Sequence, residues 1–215
     1  CELVRNGRIG RLQTITVGVP HDFAFPHQPV QPVPKDLDYE MWLGPAPWAP
    51  YTYQRCRPWT QKESYSIWYH IADYCLGGIG GYWGIHHVDI AQWGHGTDHT
   101  GPVEVEGMAT FPPSGLADCA VRWKVRHTYA DGVTMIYTDS QQNKQGVVFQ
   151  GTEGWVYVRR GHIDAEPKSL LSSKPGPDEI HLPNSPGHQR NFLDCVKSSK
   201  QTISPIDVAV RSDTI

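Results

Sequence analysis

The side chains best placed to do chemistry lie within residues 75–90. Tyr82, His86 and Asp89 stand at i, i+4 and i+7, positions that share one face of a helix. They follow Gly77, Gly78, Gly80 and Gly81, whose backbone can take positive φ and admit close approach of another group. An imidazole titrates near neutral pH, so His86 is the natural carrier of a proton in a reaction. A phenol keeps its proton there and offers a hydrogen bond, the role open to Tyr82. Asp73 and Asp89 are the nearest carboxylates, and Trp83 offers a flat apolar surface to a polyhydroxylated ligand. His87 projects roughly 100° around the helix from His86 and either lines the same pocket or packs. Each residue also has an ordinary reading: a solvated histidine, an aspartate bracing its own helix, and tryptophans (Trp42, Trp48, Trp59 and Trp83 alike) filling a core.

A second chemistry is open to the same stretch. His86, His87, Asp89, His95, Asp98 and His99 bring together nitrogen and oxygen donors of the kind that hold zinc or manganese. Their spacing matches no repeating ligand motif, and Gly94 and Gly96 divide them into two groups. A metal-dependent hydrolase is therefore an alternative reading, as is a non-catalytic carbohydrate-binding or dimerisation module.

The hydrophobic pattern describes the scaffold these side chains need. Residues 2–6 read as the last turn of a helix stopped by Gly7, and residues 14–19 alternate as a strand with Ile15, Val17 and Val19 on one side. Residues 21–58 hold too many prolines for a long element and read as an irregular arm with a short helix near 37–43. A site turn and helix span 73–94, the helix proper running over 82–93 and closed by Gly94 and Gly96. Period-two segments over residues 103–160, joined by short turns that include Asp131-Gly132, predict antiparallel pairing. Helices return over 185–215, with starts at Ser185-Pro186 and Ser204-Pro205. The expected fold class is α+β: a large, mostly antiparallel β-sheet with helices packed on one face, in one domain over 1–215.

Composition narrows the partners. A formal net charge of −3 with no basic run argues against nucleic acid or an anionic membrane surface. No stretch approaches the roughly 18 apolar residues of a membrane span. Five cysteines without a CxxC pair signal neither a zinc knuckle nor a disulfide framework, and favour a reducing, cytoplasmic setting without excluding export of a longer parent. The glycines at 77, 78, 80, 81 and 84 miss the GxGxxG spacing, so a dinucleotide-binding Rossmann domain is expected to be absent from the chain. Cys1 at the start and helices running to both ends make it read as a piece of a longer protein.

The order Gly77-Gly78, three residues, Tyr82, three residues, His86, two residues, Asp89 resembles the substrate-domain signature of the glucose-fructose oxidoreductase, inositol dehydrogenase and MocA (Gfo/Idh/MocA) family. Residues 1–10, 37–51, 151–155, 188–196 and 210–212 resemble the bacterial branch of that family, so the likeness runs nearly end to end. The resemblance implies the C-terminal substrate-binding and oligomerisation domain of an NAD(P)-dependent oxidoreductase. Hydride would pass between a sugar, cyclitol or related polyol and NAD or NADP held by an N-terminal Rossmann domain. That domain, with its catalytic lysine in a Glu-Lys-Pro motif, is missing from this sequence. The resemblance matches His86 to the family's catalytic histidine and Tyr82 to a position where the family commonly carries an aspartate. It also implies a homo-oligomer formed through the sheet, a small carbohydrate-like substrate and no metal in this chain.

Overall fold

The computed structural model describes residues 1–57, 66–75 and 77–215; Trp59, considered above, lies outside them, as does Leu76 of the site turn. In chain order the elements are α1 (Glu2–Arg5), β1 (Leu12–Val19), α2 (Tyr39–Leu43), α3 (Tyr53–Cys56), α4 (Gly78–Tyr82) and α5 (Gly84–His95). The strands β2 (Glu104–Thr110), β3 (Arg122–Thr128), β4 (Thr134–Asp139), β5 (Gly146–Gly151), β6 (Trp155–Arg159) and β7 (His162–Glu166) follow, then α6 (His188–Ser198) and α7 (Ile206–Thr214).

The strands form one seven-stranded sheet in the order β2-β3-β4-β1-β5-β6-β7. Every pairing is antiparallel except that of β1 with β4, where Ile15 faces Met135 and Val17 faces Tyr137 in parallel register. The first strand thus sits at the centre of the sheet, between two strands that come more than a hundred residues later. Its inward residues Ile15, Val17 and Val19 are fully buried beside Met135, Val147 and Phe149. Burial of each such side chain contributes about 1.5–3 kcal/mol, which favours the most apolar strand where both of its edges are paired. The expectation of successive antiparallel hairpins holds for the later strands and fails at β1, which is paired through a long crossover.

Helices cover one face. α5 packs on β1 and β5 through Val88 and Ala91, while α1 and α7 pack against α5. The opposite face, with Thr14, Lys124, Arg126, Thr134 and Ile136, lines an open depression. The arm after β1 carries α2 and α3 and builds two small clusters of its own, one around Tyr39, Leu43 and Tyr51 and one around Ile67, Ile71 and Leu116.

Three boundaries differ from the sequence reading. Gly94 does not stop α5, which runs on to His95 and ends at Gly96 with φ +80°. Gly94 is a packing residue: a Cβ there would lie 2.4 Å from the buried Phe149 ring. Ser185-Pro186 does not start α6. Ser185 Oγ accepts from Gly187 N–H at 3.1 Å, and Gly187, at φ +111°, holds the chain out of the helix until His188. β7 is an extra edge strand that buries only Ala165 and leaves Ile163 exposed, too weak an alternation to stand out.

Candidate functional site

The glycine turn is fixed from below by a buried carboxylate. Gly77 and Gly78 take φ of +72° and +64°, and a Cβ on Gly78 would lie 2.1 Å from Asp22 Oδ2 and 2.8 Å from Cys119 Cβ. Asp22 is buried just after β1; its Oδ2 accepts from Ile79 N–H at 3.0 Å, its Oδ1 accepts from Phe23 N–H at 2.7 Å and lies 2.5 Å from His70 Nδ1. The end of the central strand therefore clamps the head of α4. Further along, the Tyr137 hydroxyl of β4 donates to the Gly80 carbonyl, and Gly84 leaves the space that this phenol fills. Burial holds the Tyr137 phenol above the ordinary tyrosine range.

Tyr82 closes α4 and His86 lies in the first turn of α5, so the shared face expected for Tyr82, His86 and Asp89 is divided between two helices. Trp83 joins them with right-handed helical φ and ψ of −85° and −33°, and its carbonyl accepts from His86 N–H at 3.2 Å. His86 is exposed, and its ring meets Trp83 edge-on with centroids 5.2 Å apart. Arg160, in the two-residue turn between β6 and β7, lays its guanidinium 5.1 Å from the centre of the Trp83 ring. Partial burial, with the positive charge of Arg160 adding to it against the opposing pull of Asp89, holds the His86 imidazole below the ordinary histidine range. His86 is therefore a neutral, proton-accepting ring at neutral pH.

The other candidates separate from this group. His87 is buried on the sheet side of α5 with Nδ1 2.9 Å from the Gly18 carbonyl, and desolvation pushes its proton affinity down. Asp89 accepts from Ser212 Oγ at 2.7 Å, joining α5 to α7. Tyr82 stacks near Tyr69, centroids 5.0 Å apart, and Tyr69 lies 3.9 Å from Trp68. Trp68 lines a cleft of about 460 Å³ with Asp73, Trp42 and Tyr74, so Asp73 opens beyond this row of aromatic rings and not beside His86. Trp48 is largely exposed on the arm.

The donors considered for a metal do not converge. His95 Nε2 lies 2.8 Å from Asp131 Oδ2, His99 faces Asp207 at 3.8 Å, and His87 turns to the backbone of β1. Among the described residues, no group of three His, Cys, Asp or Glu is arranged to hold a metal ion. No helix among them is long and apolar enough to cross a membrane.

Residues 7–215 match the profile of the Gfo/Idh/MocA oxidoreductase family, C-terminal alpha/beta domain. The chain belongs to this family. Solved structures repeat the fold of this Gfo/Idh/MocA domain. The WlbA dehydrogenase of Bordetella pertussis, solved with NADH and UDP-GlcNAcA, is 17% identical over 98% of this chain and 52% of its own, with a TM-score of 0.55. An aldose-aldose oxidoreductase of Caulobacter crescentus, solved with glycerol, is 16% identical over 99% of this chain and 53% of its own, with a TM-score of 0.53. An NAD-binding protein of Listeria innocua is 15% identical over 99% and 57%, with a TM-score of 0.55. At such identities the likeness is one of fold. The chain spans little more than half the length of these proteins. Among curated proteins, none matches the sequence.

Sequence reasoning missed Arg160, Asp22 and Tyr137. The Arg160-Gly161 pair after the alternating residues 155–159 was a readable turn signal; nothing local to Asp22 or Tyr137 points to residues 77–84.

Proposed function

We propose that this domain binds the substrate of an NAD(P)-dependent oxidoreductase acting on a sugar, cyclitol or related polyol, with His86 as its proton carrier. The observation that supports this best is an exposed imidazole at the head of α5, kept neutral by partial burial and by Arg160, just beyond a glycine turn clamped by Asp22. As a substrate alcohol is oxidised, its carbon gives up a hydride and its oxygen a proton; His86 takes the proton from that oxygen, and returns it in reduction. Tyr82 donates a hydrogen bond to a substrate oxygen, and Trp83, packed against the core with the Arg160 guanidinium over its ring, supports the site from below. NAD or NADP, bound by a Rossmann domain outside this chain, supplies the hydride acceptor or donor. Gly78, Gly80 and Gly84 do not fit that cofactor, because they lie within helices and use their open side for Asp22, Trp123 and Tyr137.

In the intact protein, His86→Ala is expected to lower kcat roughly 10²–10⁴-fold while KM changes little. Unchanged turnover removes His86 from the reaction. The open face of the sheet, with Met108 exposed beside Lys124, Arg126 and Glu106, is the surface through which two copies pair. Light scattering on the intact protein tests this, and a monomer at micromolar concentration refutes it.

A further inference from the structure

We infer that Arg160 is an anion-binding group at the mouth of the His86 site, and that the substrate is a sugar bearing a carboxylate or phosphate. The inference rests on the proposed function and gives its substrate a charge. Arg160 sits in the turn between β6 and β7, where Arg159 pairs with His162 and Gly161 turns the chain at φ +71° with open space beside it. Its guanidinium is held over Trp83, the residue that also meets the His86 ring. Among the described residues, no carboxylate comes within ion-pair distance of it, a condition it shares with Arg11, Arg122, Arg159 and Arg211, none of which is laid over an aromatic ring as Arg160 is. Its field reaches both His86 and His87.

A cation fixed by stacking, uncompensated by the protein and next to the proton carrier is complementary to a negative group on whatever occupies the site. The planar fork matches the two oxygens of a carboxylate or phosphate, and stacking on Trp83 limits the orientations it must give up on binding. A bound anion would also offset the field on His86, making that imidazole a stronger base when substrate is present.

The test titrates the intact protein with glucose, glucuronate and glucose 6-phosphate by calorimetry, in wild type, Arg160→Gln and Arg160→Lys, with nicotinamide reduction followed alongside. One of the two anionic sugars is expected to bind roughly ten- to hundredfold more tightly than glucose, with Arg160→Gln abolishing the difference and Arg160→Lys keeping part of it. Which of the two is preferred identifies the anion as carboxylate or phosphate. Glucose bound as tightly as both, a preference that survives Arg160→Gln, or no binding of any of the three overturns the inference. Binding through Arg160 with no nicotinamide reduction leaves the anion site standing and removes the redox reading. Turnover of glucose that ignores Arg160→Gln does the reverse.

Discussion

A double-mutant cycle on Gly84 and Tyr137 tests whether the glycine helix is positioned by the sheet beneath it. A Cβ on Gly84 would lie 2.2 Å from the Tyr137 hydroxyl oxygen and 3.0 Å from the ring carbon that bears it. Alanine in place of glycine gains up to about 1 kcal/mol of helix propensity, and less in the first turn of α5. Against this stand overpacking of about 1–3 kcal/mol and the hydrogen bond from Tyr137 to the Gly80 carbonyl, about 1 kcal/mol net. Gly84→Ala is therefore expected to destabilise by about 1–3 kcal/mol in net, and Tyr137→Phe by about 1 kcal/mol. In the double variant the colliding oxygen is gone and the hydrogen bond is lost only once. Its cost should not exceed that of Gly84→Ala alone, a coupling of about 1–2 kcal/mol. Urea unfolding followed by far-ultraviolet circular dichroism, with a shared slope across the four proteins, gives the numbers. If the double variant loses the full sum of the two single losses, the contact does not position the helix and the argument fails.

The buried Asp22 makes a larger prediction: Asp22→Ala removes the acceptor of the Ile79 and Phe23 N–H groups and the carboxylate beside His70 Nδ1, and should destabilise by about 3–5 kcal/mol. Differential scanning calorimetry would then read a Tm drop of roughly 6–20 °C, and a drop within 2 °C or so removes the clamp from the account. His87 and His127 are both buried with proton affinities pushed down by desolvation. A histidine of that kind leaves stability flat above a pH of about 6.5, where both states are neutral; below it the unfolded chain takes the proton first, and stability falls. Urea midpoints should therefore drop between pH 7.5 and 5.5, and His87→Asn should flatten that slope; the same slope in the variant contradicts the assignment. On the proposed function, the acid limb of kcat/KM of the intact protein should fall below the ordinary histidine range, and Arg160→Gln should move it upward, since one of the causes that depress His86 is then gone.

Much of the scaffold was legible because its pattern is local. Alternation over residues 121–138 and the Asp131-Gly132 turn correspond to β3 and β4, with the Asp131 carboxylate accepting from Val133 N–H at 3.1 Å and Gly132 at φ +88°. The Gly-rich head of a helix carrying His86 was legible in the same way. Gly94 shows the limit of local reading. Near the end of a helical run it carries the signal of a helix stop, yet its use is set by Phe149, a residue on β5 that no helical window contains.

The environment that gives His86 its character comes from farther away still. Asp22 reaches the glycine turn from 57 positions back, and Tyr137 reaches it from 57 positions ahead. Both do so because β1 and β4 are neighbours at the centre of the sheet, so that Asp22, just after β1, and Tyr137 of β4 both reach residues 78–84. Periodicity assigns a residue to a face; it does not say which strand lies next to which, and here the insertion of β1 between β4 and β5 is what local turns do not encode. The histidine of the motif is thus readable as a residue type at a spacing, while its neutrality, its exposure and the cation beside it are properties of the assembled sheet. A family signature of this kind locates residues 77–89, and the strand order sets which side chains surround them.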